Sequence, residues 1–334
     1  MRLVSLLCLG WLASGARLGS KATPPTAPSS LLSAARPRPV LSPEFMERDL
    51  SDGEMLEFAR EGHMRFSGLL AASAVEELAS LMTAEFAARK QEAVQHYRCV
   101  LTTDAGEGEG EQPPFHQLFN TWRSNAQARR LILDPGLGRL AAQLLDCSAV
   151  RLYQDSIFVK DPQHGPTEWH SDLKMCPLNT NDFLTFWIPL QPVPDHDNGG
   201  TGLVYASKSH TDFALPFWFN PDEMDLSERY VLADHGAYSL GDASVHHGWC
   251  LHSAPPNIGD STRIALSLSF VADGAPTLPL SPPDDESGLL RRPDMEDSPS
   301  FADWLASALE EGYLQHELCP LVYGSLEEAA EEEA

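Results

Sequence analysis

Trp169-His170-Ser171-Asp172 lies between a loop, Pro162-Gln163-His164-Gly165-Pro166, and an apolar run that starts at Phe183. In a strand, alternate residues share a face, with Cα atoms roughly 6.5 Å apart. His170 and Asp172 are therefore expected to present an imidazole and a carboxylate side by side. That pair is two thirds of a facial metal site of the non-haem iron kind, which needs one more His and keeps positions open. A three-residue pattern alone recurs by chance, so the rest of the chain must supply the third ligand and a pocket.

Candidates for that ligand cluster in Gly241-Asp242-Ala243-Ser244-Val245-His246-His247-Gly248-Trp249-Cys250-Leu251-His252. Iron or zinc accepts any of the three imidazoles. His252 is favoured because the turn-forming stretch Ser253-Ala254-Pro255-Pro256-Asn257-Ile258-Gly259-Asp260 follows it. Arg263 then opens the next strand, so His252 and Arg263 are expected to be neighbours across a ladder. Along that strand Ile264, Leu266, Leu268 and Phe270 form one face, and Arg263, Ala265, Ser267, Ser269 and Val271 the other. An Arg among small residues has room to pair bidentately with a carboxylate, and an organic acid held that way can also reach a metal.

The pattern around these residues sets the fold class. Ser51-Asp52-Gly53-Glu54 reads as a helix start, with Gly62 as its end and a short strand at Met64-Arg65-Phe66. A longer helix is expected from about Ala74 to His96, and two more over Phe115–Asn125 and Ala126–Leu145, broken near Asp134-Pro135-Gly136. From Val150 the period changes. Val150–Lys160, Trp169–Leu173, Phe183–Gln191, Gly202–Ala206, Ala237–Leu240, Ser244–His247, Trp249–Ser253 and Arg263–Val271 read as strands separated by Pro/Asn/Asp/Gly loops. About eight strands fit a double-sheet jelly roll with helices packed outside. The expected class is α+β, mainly β: a double-stranded β-helix, cupin-like core over about 150–271, inside one domain spanning 44–325. A last helix is expected at Phe301–Gln315, and residues 326–334 read as an acidic, solvated tail.

Composition narrows the partners. The chain carries a formal charge of −25 and no run of Lys and Arg, which argues against nucleic acid and against an anionic membrane surface. Residues 1–43 differ from the rest. Arg2, the apolar run Leu3–Leu12 and small residues Ala13-Ser14-Gly15-Ala16 describe a secretory signal, too short to span a bilayer. Arg17 to Val40 is rich in Ser, Ala, Pro and Arg, and the first acid is Glu44, as in an organellar transit peptide. Endomembrane entry is the expectation, with a plastid or another organelle, reached through a two-part leader, as the alternative. Cys99, Cys147, Cys176, Cys250 and Cys319 show no CxxC spacing and read as free thiols.

Taken together, His170-x-Asp172, His252 and Arg263 resemble the site of the phytanoyl-CoA dioxygenase family of iron(II)/2-oxoglutarate oxygenases. Phe58-Ala59-Arg60-Glu61-Gly62 with Leu69-Leu70 resembles that family's opening helix and strand. Tyr153-Gln154-Asp155-Ser156 and Lys160-Asp161-Pro162 resemble the segment before its metal motif. Asn198-Gly199-Gly200, Ala206-Ser207-Lys208-Ser209-His210, Gly241-Asp242 and Cys319-Pro320-Leu321-Val322-Tyr323-Gly324 also agree, over about residues 50–325. The resemblance implies that His170, Asp172 and His252 ligate Fe(II) and that Arg263 holds the far carboxylate of 2-oxoglutarate. It places Trp187 and Ser156 at the cosubstrate pocket and His247 beside the ligands. Cys147 and Ala206 replace glycines common in the family, away from the site. Asp172 is present, whereas family-like halogenases lose that carboxylate, so hydroxylation is expected.

The implied cosubstrates are 2-oxoglutarate and O2, with ascorbate as a further candidate. The substrate is expected to be a small organic molecule, entering past loops 103–114, 174–182 and 211–232, where Phe213, Phe217, Trp218 and Phe219 are candidates for an apolar mouth. The competing reading is a metal- or ligand-binding jelly roll without turnover. A Ser/His/Asp hydrolase ranks below both, because no Gly-x-Ser-x-Gly elbow accompanies Ser171 or Ser244. Oligomeric state is not legible here.

Overall fold

Period-2 alternation on a buried strand creates two chemically different faces, and this chain builds its site on the polar one. The computed structural model describes residues 49–95, 113–212, 225–278 and 301–324. The expected leader (1–43), acidic tail (326–334), most of loop 103–114 and Phe213, Phe217, Trp218 and Phe219 lie outside the described residues.

Among the described residues twelve strands form two antiparallel sheets. They are β1 (His63–Phe66), β2 (Val94–Gln95), β3 (His116–Phe119), β4 (Val150–Lys160), β5 (Thr167–His170), β6 (Phe183–Pro189), β7 (Val204–Ala206), β8 (Leu232–Asp234), β9 (Ala243–His247), β10 (His252–Ala254), β11 (Arg263–Ala272) and β12 (Leu321–Tyr323). The larger sheet runs β1-β9-β6-β11-β4-β3-β2, with β12 also on β4; the smaller runs β5-β10-β7-β8. Sequence-distant neighbours such as β4 and β11 are the signature of a jelly-roll winding. The expected double-stranded β-helix core with outer helices is what the chain forms.

Among the described residues five α-helices accompany the sheets: α1 (Asp52–Glu61), α2 (Ala72–Ala88), α3 (Ala126–Ile132), α4 (Pro135–Leu145) and α5 (Ala302–Glu311). Ser51 and Glu54 close a capping box on α1, satisfying backbone donors the helix leaves open. Asp134 caps α4, and Pro135 occupies its first turn, where its missing N–H costs nothing. On the larger sheet, Leu266, Leu268 and Phe270 join Ile157, Phe186, Ile188 and Val245 in one core with Val75, Leu78, Met82, Leu137 and Leu140 of the helices. That core holds one face of the sheet rigid. The opposite face carries Arg263, Ala265, Ser267 and Ser269, in register with Lys160, Phe158, Ser156 and Gln154 on β4 and with Trp187 and Thr185 on β6. A second apolar cluster, Trp187, Tyr205, Tyr238, Cys250, Ala254 and Ala265, ties this face to the smaller sheet.

Four expectations are corrected. Phe115–Asn125 is not a helix: it forms β3, a left-handed Asn120 (φ 57°) and a 3-10 turn at Thr121–Arg123. The buried Asp155 carboxylate takes the Thr121 N–H at 2.8 Å, and Asn120 N–H reaches Asp155 O at 2.8 Å, so pairing with β4 outweighs helical spacing. The long helix stops at Ala88, short of His96. The strand expected at Trp169–Leu173 ends at His170, and Asp172 starts a 3-10 turn. Ala237–Leu240 makes only an isolated bridge, Val193–Tyr238, and the strand near it is β8.

Candidate metal centre

His170 closes β5 and stands opposite His252 of β10 in the smaller sheet. Their rings lie 4.2 Å apart between centroids. Each ring's Nδ1 sits by a backbone carbonyl two residues earlier, Glu168 O at 2.8 Å and Cys250 O at 3.0 Å. A carbonyl only accepts, so Nδ1 must carry the proton and Nε2 keeps its lone pair. Both Nε2 atoms face one oxygen of Asp172: Oδ1 is 3.8 Å from His170 and 3.7 Å from His252. Ligand atoms of all three residues fall within 4.8 Å of one another.

Asp172 reaches this point although it is no longer in a strand. Leu173 N–H donates to Gly248 O (2.9 Å), and Gly248 N–H donates to Phe183 O (2.7 Å), so the 3-10 turn is clamped to the ends of β6 and β9. Gly248 is needed for that approach, because a Cβ there would meet Leu173 at 2.7 Å. The other carboxylate oxygen, Oδ2, accepts from Thr185 Oγ1 at 2.7 Å and from His246 Nε2 at 3.1 Å. One oxygen is thereby occupied and the other presented.

Electrostatics agree with the tautomers. Burial works against a charged Asp172, but the His246 bond and the surrounding imidazoles outweigh it and hold the carboxyl well below the usual carboxylate range. Burial, reinforced by His246 and His170, keeps the His252 imidazole well below its ordinary value and hence neutral. Two Nε2 lone pairs and one anionic carboxylate oxygen facing one another suit Fe(II). Among the described residues no thiol joins the set.

Arg263 is buried on the larger sheet, its Nε donating to Thr201 Oγ1 at 3.2 Å and its guanidinium 5.5 Å from the Trp187 ring centre. Burial lowers it only to about 10, so it stays charged. Trp187 and Ser156 share its face, and Ser156 Oγ accepts from Gln117 at 3.2 Å. The expectation that His252 and Arg263 are ladder neighbours is not met. His252 pairs with His170 and Tyr205, and Arg263 with Lys160 in the other sheet. A ligand bridging the two would lie between the sheets, not along one.

His247, expected beside the ligands, points elsewhere. It accepts the Trp249 N–H at 3.0 Å and packs toward Phe58 and His210, and burial lowers it to about 4. The neighbour that touches Asp172 is His246. Sequence singles out neither Thr185 nor Thr201, offers His246 only as one of three candidate imidazoles and gives Lys160 no role of its own; the signal for His246 is alternation along β9, which leaves the inward member of a His-His pair undecided. A second cluster, His116, Asp161 and His164, also has metal-ligand spacing. Its His164 Nδ1 already accepts the Asp161 N–H at 3.1 Å, and Thr262 donates to Asp161 at 2.6 Å. His116 lies on the helix-facing side of the sheet, in register with Val159.

Among known proteins, the chain matches the phytanoyl-CoA dioxygenase (PhyH) family over residues 58–265. It is 30% identical over 146 residues to a probable alpha-ketoglutarate-dependent hypophosphite dioxygenase of Stutzerimonas stutzeri, a match covering 38% of this chain and 46% of that protein. The chain thus spans about half the length of this curated relative. Among solved structures it resembles the non-heme alpha ketoglutarate dependent carbocyclase SnoK from nogalamycin biosynthesis, with a TM-score of 0.60 and 23% identity, covering 82% of this chain and 96% of that one. It also resembles EctD from S. alaskensis, solved with 2-oxoglutarate and 5-hydroxyectoine, with a TM-score of 0.52 and 18% identity over 73% and 86% of the chains. Likeness at this identity concerns the fold.

Proposed function

The chain belongs to the phytanoyl-CoA dioxygenase family, and from that premise we propose that it is an Fe(II)- and 2-oxoglutarate-dependent dioxygenase. In this reading it hydroxylates an unactivated C–H bond of a small organic substrate and releases succinate and CO2. The observation that carries the reading is the convergence of two proton-free Nε2 atoms and one carboxylate oxygen, His170, His252 and Asp172.

Iron and 2-oxoglutarate, when bound, supply the O2 activation and oxidising power that no side chain here has. The protein's share is ligation, orientation and exclusion of water. His170, Asp172 and His252 would hold iron on one side and leave the other for cosubstrates. Arg263 offers a fixed positive charge for the far carboxylate of 2-oxoglutarate, and Thr201 and Trp187 fix the direction of its guanidinium. Tyr205, Tyr238 and Cys250 close the space between the sheets with apolar surface, which strengthens charge interactions inside. Among the described residues no helix is long and apolar enough to cross a membrane.

The test is an anaerobic titration of the metal-free protein with Fe(II) and 2-oxoglutarate, following the visible charge-transfer band of the chelate. The reading requires a band in the wild type that weakens in Asp172→Ala and in Arg263→Ala. Metal binding without a band, in a correctly folded protein, transfers the case to a binding module without turnover.

A further inference from the structure

β4 and β11 pair residue for residue from Lys160 and Arg263 as far as Gln154 and Ser269, and there the ladder slips: Phe270 faces Leu152, and Tyr153 is left without a partner. A bulge of this kind re-aims the side chains beside it, and bulges gather next to active sites. Gln154 stands on the face that carries Ser156, Ser269 and Thr185. Tyr153 joins an apolar cluster with Leu173, Phe183, Val271 and Trp304. Gln154 therefore marks the border between an apolar wall and the polar row that reaches Asp172 through Thr185.

Hydrogen bonds along that row have a fixed direction. The ionised Asp172 carboxylate only accepts, so Thr185 Oγ1 donates to its Oδ2 at 2.7 Å. Thr185 has one hydroxyl proton, so Ser269 Oγ, 3.0 Å away, must donate to it. Both hydroxyl protons run toward Asp172, and lone pairs are left at the Gln154 end. Nearby, the Gln117 amide is paired, donating to Ser156 at 3.2 Å. The Gln154 side chain is half-buried, and among the described residues its Oε1 is buried without a hydrogen-bond partner. A buried amide oxygen left unpaired costs stability. One that the fold keeps two hydroxyls away from a metal ligand is accounted for by a ligand that donates to it.

We propose that Gln154 determines substrate specificity: its Oε1 accepts a hydrogen bond from an N–H or O–H of the substrate and so holds a neighbouring C–H toward the metal. The inference rests on the oxygenase reading and narrows its substrate to a small amine or alcohol. A plain hydrocarbon chain in the same place leaves the oxygen unpaired, and a site built to pair a polar group discriminates strongly against an analogue that lacks it.

The first arm of the test needs no substrate. Removing an amide that has no partner relieves the folded state, so metal-free Gln154→Met, unbranched and of similar length, should melt about 2–4 °C above wild type. The second arm follows 2-oxoglutarate consumption by Fe(II)-loaded, full-length protein given small amines and alcohols, each beside its permethylated counterpart, which cannot donate. In wild type a donor is expected to raise consumption roughly tenfold above its permethylated counterpart. Gln154→Met loses that preference, and Gln154→Glu, which still accepts, keeps it. A Gln154→Met protein that melts below wild type or does not fold overturns the proposal and leaves the oxygenase reading intact. So does a panel in which no donor is preferred, a preference that survives in Gln154→Met, or one that is lost in folded Gln154→Glu. Wild type that neither forms the Fe(II)–2-oxoglutarate band nor consumes 2-oxoglutarate overturns the oxygenase reading as well.

Discussion

His246 Nε2 lies 3.1 Å from Asp172 Oδ2, so the carboxylate that faces the metal position with one oxygen is gripped by an imidazole with the other. Thr185 Oγ1 grips the same oxygen at 2.7 Å. Partners of this kind orient ligands, and their loss costs about 10- to 100-fold in metal affinity. His246→Ala is therefore expected to weaken Fe(II) binding by that factor with the fold intact. His246→Gln, whose amide can donate to Oδ2, should recover part of it. Fe(II) affinities of the two variants check this, and equal affinity in wild type and His246→Ala would sink the orienting role.

Gly248 couples backbone packing to the same carboxylate. A Cβ at this position would meet Leu173 at 2.7 Å and Phe183 at 2.9 Å, and Leu173 adjoins Asp172 in the clamped turn. Gly248→Ala is expected to displace the turn and lower Fe(II) affinity more than it lowers the melting temperature. Leu173→Ala creates the missing space, so the double variant should bind iron better than Gly248→Ala alone. A double-mutant cycle measures the coupling; strictly additive effects would mean that Gly248 does not act through Leu173.

Acid should unfold the protein through its buried histidines. Burial, followed by the fields of His235, His246 and His210, lowers His63 to about 3, and burial lowers His235 and His247 to about 4. A depressed native value means the unfolded chain binds the proton first, so the stability each neutral ring contributes is complete above about 6.5 and is lost as pH falls from there. The slope is about 1.4 kcal/mol per pH unit for each such group. Urea unfolding at pH 7, 6 and 5 should show stability falling steeply below 6.5, and His63→Phe should remove about one proton from the slope. A flat profile through this window would show that these rings already titrate normally in the native state.

The parts of this architecture that sequence made legible are those in which local pattern and tertiary demand coincide. The alternation of Ile264, Leu266, Leu268 and Phe270 against Arg263, Ala265, Ser267 and Ser269 marks the two faces of β11, and the structure uses both faces as read. His170, Asp172 and His252 converge as their spacing suggests, but Asp172 does so from a 3-10 turn whose position depends on Gly248 and Phe183, far along the chain. Phe115–Asn125 fails as a helix because Asp155, on another strand, captures its backbone donors. The His246-His247 pair was undecidable for a related reason. One of two adjacent residues on a strand must face inward, and register with Thr185 on β6 settles which. Lys160 and Arg263, more than a hundred positions apart, become a pair only through the β4–β11 ladder.

Metal removal supplies the last prediction, and it follows from how the site is prepared. His170 and His252 keep lone pairs on Nε2 because Glu168 O and Cys250 O hold the protons on Nδ1. Asp172 Oδ1 faces both lone pairs at 3.8 and 3.7 Å, so three electron-rich atoms confront one another with no proton between them. Iron held by these three residues would bind the folded state alone, and by mass action would stabilise it by about 2.7 kcal/mol when present at a hundredfold its dissociation constant. For a domain of this size that is a rise of roughly 5–10 °C in melting temperature. Anaerobic Fe(II) should produce the rise and a chelator should abolish it. Asp172→Ala should melt at the same temperature with and without iron, because the remaining imidazoles bind far more weakly. If that variant kept the iron-dependent rise, the stabilising ion would sit elsewhere, and the His116, Asp161 and His164 cluster would be the next place to substitute.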